Sequence, residues 1–531
     1  MRRFADLLDR LVLTPSRNGK LALIGNYLRE APDPDRGFGL AAITRDLALD
    51  SIKPAMLRAL AAERVDAELL ALSYDFVGDL AETIALVWPA PAGATLDPPL
   101  GEVVARLRAA SRREAPRVVE TLLDQLDASA RFALLKLVTG GLRVGVSARL
   151  AKQALGDITG RDIAEIEEIW HDQEPPYLPL FAWLTGDAPR PLAAASLGFR
   201  PVMLSHPLDE AELAKLDPAD FTAEWKWDGI RVQAAASPTE RRLYSRTGDE
   251  ISRAFPDLAE ALDFDATLDG ELLVARPGGP AEGVASFADL QQRLNRRSVT
   301  AKQIERFPAF LRLYDVLRIG AEDLRPLALA TRRARLEAFA AMLDPARFDL
   351  SPLLPFATWD DLAALRAAPP DPVIEGVMLK RRDSAYLAGR PKGPWFKWKR
   401  DPHVIDAVLM YAQRGHGKRS GYYSDYTFGV WGPNGGLLPV GKAYFGFTEE
   451  ELTRIDRFVR DNTTDRFGPV RAVRAEPAHG LVFEVAFEGL QRSSRHKSGV
   501  AMRFPRISRL RWDKPPSEAD RIETLEALLT G

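Results

Sequence analysis

The sequence predicts a multidomain protein with a helical first part, a mixed α/β middle and a mostly β end. Three observations carry this. The 531 residues exceed the size at which a single hydrophobic core keeps growing, so two to four domains follow. The spacing of apolar residues changes along the chain, from helical to mixed and then to strand-like. A Pro-, Gly- and Ala-rich stretch from Pro175 to Pro201 separates the first texture from the second and is read as a connection.

In the first part Phe4, Leu7, Leu8, Leu11 and Val12 recur at helical spacing until Thr14-Pro15-Ser16 interrupts them, and Leu21, Ile24, Tyr27 and Leu28 resume the pattern. Val118, Leu122 and Leu126 mark a further helix, as do Leu134, Leu135 and Val138, and Ile163, Ile166 and Trp170. No strand is read before Phe199, and no fixed-period repeat is present. The middle carries β-like runs over 222–233, 268–274, 310–316 and 373–379, with a helical pattern over 331–342. After Lys399 come runs over 404–411, 422–431, 437–444 and 481–487. Several short strands in a segment of this length suggest a small barrel, with an OB-fold as the leading candidate. The expected boundaries are 1–195, 196–400 and 401–531.

Composition narrows the class of protein. Apolar residues make up 46% and charged residues 27% of the chain, as in ordinary globular proteins. No apolar run approaches the roughly 20 residues that span a bilayer, and Asp6 and Asp9 break the opening apolar stretch, unlike a secretory signal. With no cysteine, disulfides and thiolate metal sites are excluded, which suits a reducing cytoplasm. The net charge of -2 is not that of a simple nucleic-acid binder, yet local clustering decides phosphate attraction. Arg492, Arg495, Lys497, Arg503, Arg506, Arg509, Arg511 and Lys514 face only Asp513 among the acids of their most basic stretches. Alone, such a run reads equally well as a solvated surface.

The chemistry-bearing stretch is Glu224-Trp225-Lys226-Trp227-Asp228-Gly229-Ile230-Arg231. A protonated lysine is a poor nucleophile, and desolvation by Trp225 and Trp227 or nearby cations would activate Lys226. Arg231, five residues on, is where a hairpin would return a guanidinium to the same phosphate. Arg246 precedes a second turn in Ser245-Arg246-Thr247-Gly248. Asp269 and Glu271 in Leu268-Asp269-Gly270-Glu271-Leu272, and Glu375 in Ile374-Glu375-Gly376-Val377-Met378-Leu379-Lys380, place acids in apolar runs where unpaired carboxylates are costly. Lys397 and Lys399 alternate in Trp395-Phe396-Lys397-Trp398-Lys399, so on a strand they share a face. Singly, each reads as an edge charge or a buried ion pair. Together they supply what phosphoryl transfer needs: a nucleophile, hard oxygen ligands for Mg²⁺ and several cations around phosphate.

In order and spacing these segments resemble the covalent nucleotidyltransferases, specifically ATP-dependent DNA ligases of the large form with a helical DNA-binding domain. The resemblance implies an all-α DNA-binding domain, an α/β adenylation domain and a C-terminal OB-fold. It makes Lys226 the lysine that forms lysyl-AMP, Glu224 the residue at the adenine edge, and Arg231 and Arg246 nucleotide and phosphate contacts. Glu271 becomes the acid shared between ribose and metal, Glu375 the second metal carboxylate, and Lys397 and Lys399 the pair on the α-phosphate. Lys380 closes the Glu375 motif. Tyr314 stands where the family usually has Phe stacking on adenine, a role Tyr can fill. A further cationic contact falls on Arg390 or Lys392. Phe199-Arg200-Pro201-Val202-Met203-Leu204 looks like the start of the adenylation domain, and residues 137–145 are similar to a segment of the helical domain.

The same resemblance places Arg511, Asp513 and Lys514, after Arg503-Phe504-Pro505-Arg506, in the motif that orients the pyrophosphate leaving group when the barrel closes. The implied cofactors are ATP and Mg²⁺, with Mn²⁺ as an alternative. The implied partner is nicked duplex DNA, encircled by a monomer with no membrane association and held at the nucleoid. The Gly-rich stretch from Arg414 to Tyr423, with Lys418 and Arg419, suits backbone contact without base reading. An RNA ligase or capping enzyme shares the lysine chemistry, but the helical first part and the 503–514 pattern favour a DNA ligase. The cysteine zinc module of NAD⁺-dependent ligases has no counterpart here. A DNA-end-binding scaffold with a dead core is disfavoured because every expected catalytic position is filled.

Overall fold

The computed structural model describes the chain except for residues 48, 50, 51, 78, 90–94, 141, 143, 171–172, 192–196, 295, 297, 415–422, 445–447, 469, 494–495 and 531. It divides into two compact units. One comprises Arg161–Glu174 and Ala182–Asp401; the other comprises Met1–Gly160, Pro175–Phe181 and Pro402–Gly531. Among the described residues, no helix is long and apolar enough to cross a membrane.

All regular structure described before His206 is helical. The first two helices are Arg2–Leu13 and Arg17–Glu30, and the break between them carries its own cap: Ser16 Oγ accepts from the Gly19 N–H. Asp127 and Ser147 cap Ala128–Thr139 and Ala148–Thr159 in the same way. Each such cap satisfies an otherwise orphaned amide and is worth about 1 kcal/mol. Of the apolar stripe of the first helix, Phe4, Leu7, Leu8 and Leu11 are buried, while Val12 is exposed. The Pro175–Pro201 stretch contains a helix, Leu178–Thr185. Its Pro179 lies in the first turn, where the missing N–H has no intrahelical partner to lose.

The other unit is built on two sheets. The five-stranded sheet runs in the order His206–Pro207, Trp395–Lys399, Ile374–Arg381, Phe221–Trp227, Leu353–Leu354. The six-stranded sheet runs Arg241–Ser245, Ile230–Ala236, Ala266–Val274, Ala309–Ile319, Glu322–Asp323, with Phe348–Leu350 also against Ala309–Ile319. Phe221, Ala223, Trp225, Ile374, Val377 and Phe396 form the core of the first sheet. Leu268, Leu272, Leu311, Leu313, Phe255 and Leu336 belong to that of the second. Full burial of side chains this size contributes about 1.5–3 kcal/mol each.

The hairpin expected around Asp228-Gly229 is not one. Phe221–Trp227 pairs with Ile374–Arg381, whereas Ile230–Ala236 pairs with Ala266–Val274 and Arg241–Ser245. The turn therefore carries the chain from one sheet to the other. Asp228 N–H donates to Val373 C=O at 3.0 Å. A Cβ on Gly229 would lie 2.6 Å from Leu272 O, so only glycine permits this crossing.

The C-terminal portion, from Pro402, is mostly β. The His403–Arg414 strand changes partner along one edge: residues 403–408 pair with Val482–Phe487 and residues 411–413 with Val470–Val473. Its other edge pairs with Tyr423–Trp431. The helix Glu449–Asp461, opened by a Thr448–Glu451 capping box, supplies Ile455 and Val459 to the core beneath. The sequence reading had not included this helix, whose buried positions alternate with many charged residues. The proposed backbone-contact loop over 415–422, together with Gly141, Arg143 and Arg495, lies outside the described residues.

Candidate active site

Glu224 and Lys226 alternate on the Phe221–Trp227 strand and so share a face. Across from them on Ile374–Arg381, Gly376 stands opposite Lys226, and the register shifts between Ile374 and Gly376. This irregularity sets Glu375 beside the lysine. Lys226 Nζ donates to Glu375 Oε2, and Lys399 Nζ lies 3.8 Å from the same oxygen. Gly376 has φ +148°, and a Cβ there would lie 2.3 Å from Trp398 O. The Trp395–Lys399 strand can approach only because that side chain is missing.

The second sheet supplies the facing groups. Arg231 binds Asp269 through two hydrogen bonds, 3.0 and 2.6 Å, and donates to Met203 O at 2.5 Å and to Tyr386 Oη at 2.9 Å. Tyr386 Oη in turn donates to Asp269 Oδ2 at 2.6 Å. Such a two-pronged pair fixes the guanidinium in direction as well as position. Lys380 Nζ donates to Glu224 Oε1 at 3.1 Å, and both side chains are almost fully buried. The same ammonium lies 4.3 Å from the Tyr314 ring centre and 4.8 Å from that of Trp395. Lys380 is thus engaged at the Glu224 end of the site.

Electrostatic coupling shows which other groups converge. Burial pushes the Glu271 carboxyl up to about 7, against the pull of Lys226 and Arg231 and with repulsion from Glu375 and Asp269. Burial, then Lys399, Arg390, Lys226 and Arg246, pushes the Lys397 amine below its usual range. Burial, then Arg231 and Arg390, does the same to Arg246. Lys226, Glu271, Glu375, Arg231, Arg246, Arg390, Lys397 and Lys399 therefore act on one another within one unit. Of the two alternatives in the Arg390–Lys392 loop, Arg390 is the one that acts on both Arg246 and Lys397.

Arg511, Asp513 and Lys514 belong to the other unit. Arg511 Nη1 and Lys514 Nζ donate to Asp406 Oδ2 at 3.2 and 2.7 Å, and Arg511 Nη2 to Asp513 Oδ2 at 3.0 Å. Sequence reasoning did not single out Asp406, Tyr386 or Trp395 as site residues, and it noted Asp269 only as an acid in an apolar run. The signal for Asp269 was that run itself, where a carboxylate must find a partner. Tyr386 and Asp406 become legible only once the strands are paired.

A family profile described as "ATP dependent DNA ligase domain" matches residues 202–399, and one described as "ATP dependent DNA ligase C terminal region" matches residues 419–514. The chain is 30% identical to a probable DNA ligase of Koribacter versatilis, over 99% of this chain and 96% of that protein. It is 29% identical to DNA ligase 1 of Korarchaeum cryptofilum, over 99% and 98%. A solved structure titled Pmar-Lig_PreS3 has the same fold, with a TM-score of 0.61 at 15% identity, covering 96% of this chain and 99% of that one. A lysine held against a carboxylate among several cations, in a chain matched almost end to end by DNA ligases, leads to one conclusion: the chain belongs to the ATP-dependent DNA ligase family, whose members seal nicks in DNA.

Proposed function

We propose that Lys226 attacks the α-phosphate of ATP, forming a P–N bond to AMP as pyrophosphate leaves. The AMP then passes to the 5′-phosphate of a nick, and the 3′-hydroxyl attacks that phosphate and expels AMP. All three steps are displacements at phosphorus, served by positioning and positive charge more than by acid–base groups. Lys397, Lys399, Arg246 and Arg390 disperse the developing charge, and Arg231 orients the nucleotide. Glu224, held by Lys380, takes the adenine edge, and Tyr314 stacks on the base. Lys392 is the alternative to Arg390. Arg511, Asp513 and Lys514 are assigned to the pyrophosphate.

Glu271 and Glu375 are the residues for Mg²⁺ or Mn²⁺. No cluster of three or more His, Cys, Asp or Glu ligands occurs among the described residues. Two coupled carboxylates beside Lys226 suit a cation that keeps several waters and binds substrate phosphates. When bound, the ion would neutralise phosphate charge during transfer. The three-part organisation 1–195, 196–400 and 401–531, the OB-fold of the last part and a monomer gripping nicked duplex complete the reading. The partner exchange along His403–Arg414 supports the OB-fold, because it bends a sheet toward closure.

One observation carries this reading: Lys226 donates to Glu375, with Lys399 at the same carboxylate oxygen, and Glu271, Arg231, Arg246, Arg390 and Lys397 complete a set of two carboxylates and five cations around it. The test is mass spectrometry after incubation with ATP and Mg²⁺. Wild type should gain one AMP, mapped to Lys226, and Lys226→Ala none. An adduct that persists in Lys226→Ala, or never forms in wild type, refutes the proposal.

A further inference from the structure

Arg511 ends the Arg506–Arg511 strand, and Lys514 follows in a turn whose N–H donates back to Arg511 C=O at 3.2 Å. Their charged ends meet on one atom, Asp406 Oδ2, at 3.2 and 2.7 Å. Asp406 lies two strands away. Val482–Phe487 runs between, with Glu484 opposite Asp406 and Val482 opposite Arg511. The backbone of Asp406 is anchored from behind: its N–H donates to Asp520 Oδ2, and Asp520 N–H donates to Asp406 C=O, both at 2.8 Å. Asp406 is 9% exposed, and its Oδ1 is buried with no hydrogen-bond donor among the described residues. Asp513, the acid of the motif itself, has a side chain 56% exposed.

A buried carboxylate is costly, and replacing a buried ion pair with apolar groups is often neutral or stabilising. Stability is therefore a weak explanation for an acid that leaves one oxygen idle while gathering two cations onto the other. Geometry explains it better. Without a shared anion, a guanidinium and an ammonium this close repel each other and spread over separate rotamers. With it, they form a doubly charged pair of fixed spacing.

We propose that Asp406 is a positioning residue for the nucleotidyl step, holding Arg511 and Lys514 as a pre-set pair for the pyrophosphate. This rests on the assignment of that pair to the leaving group made above. Asp406 touches no substrate. It should matter only where pyrophosphate leaves or returns, and not in the joining of a nick that already carries AMP.

The isosteric Asp406→Asn and the charge-keeping Asp406→Glu would be compared with wild type in three reactions: lysyl-AMP formation from ATP, its reversal by inorganic pyrophosphate, and sealing of a nick pre-adenylated on its 5′-phosphate. In Asp406→Asn the first two should fall together by about a hundredfold, the penalty of misplacing a positioning group by about 1 Å. Sealing of the adenylated nick should stay within about twofold of wild type, since it shares none of that transition state. Asp406→Glu should lie between. Adding Asp406→Asn to Arg511→Ala should cost little more than Arg511→Ala alone, because the two act as one unit. Unchanged adenylation in Asp406→Asn, or parallel loss of all three reactions in both variants, overturns the proposal. If wild type itself never adenylates Lys226, the function above has failed instead.

Discussion

Glu271 shows how one side chain couples stability to chemistry. Its usual value is 4.5, and burial in the folded protein pushes it to about 7. Between those values the native state binds the proton more tightly than the unfolded chain does. Stability therefore declines as pH rises through this window. The contribution is fully present below 4.5 and lost above about 7. Glu271→Gln fixes the neutral form. It should match wild type near the lower limit and exceed it in slightly alkaline buffer by about 1–2 kcal/mol, discounted for partial exposure at about 1.4 kcal/mol per unit. Urea midpoints across the range would measure this, and a constant offset between the two proteins would refute it. The same substitution should abolish metal-dependent adenylation, so the more stable protein is the inactive one.

At the scale of elements, the approach of three strands builds the site. Gly376 lets Trp395–Lys399 come close enough to place Lys399 near Glu375. In Gly376→Ala the new Cβ meets the Trp398 carbonyl and must push that strand away, because backbone cannot give as a flexible side chain would. A loss of about 1–3 kcal/mol in unfolding free energy is expected, along with a larger fall in AMP adduct formation than stability alone explains. Wild-type adduct yield in a destabilised Gly376→Ala would show that the spacing is not functional. This glycine also shows what the sequence makes legible. Alternation revealed that Lys397 and Lys399 share a face and that Glu375 and Glu271 lie in strands, because side-chain period is a local property. It did not reveal that Phe221–Trp227 and Ile230–Ala236 join different sheets. A two-residue turn between apolar runs reads as a hairpin unless long-range pairing is known. For the same reason the partners of Asp269, Tyr386 and Asp406 stayed hidden: they lie 38, 155 and 105 positions away.

At the scale of the whole molecule, a net charge of -2 must coexist with a grip on a polyanion. Internal pairing reconciles them. Many of the basic groups are already neutralised by acids, as in Arg332 with Asp315, Arg293 with Asp257 and Arg318 with Asp265. These raise both charge totals without adding to the field a phosphate meets. Arg492, Lys497 and Arg509 are instead exposed, within the basic run that sequence analysis picked out. If they bear on DNA, each phosphate they neutralise releases counterions, and the plot of log binding constant against log salt steepens by about 0.9 per contact. The expected outcome is steep salt dependence for wild type on a nicked duplex. Joint replacement of the three by alanine should flatten that slope by about 2–3, while leaving the yield of AMP on Lys226 unchanged. Fluorescence anisotropy across a salt series measures the slope directly. A variant that binds more weakly at every salt with the slope intact would mean that these three side chains shape the protein surface and do not meet the DNA backbone.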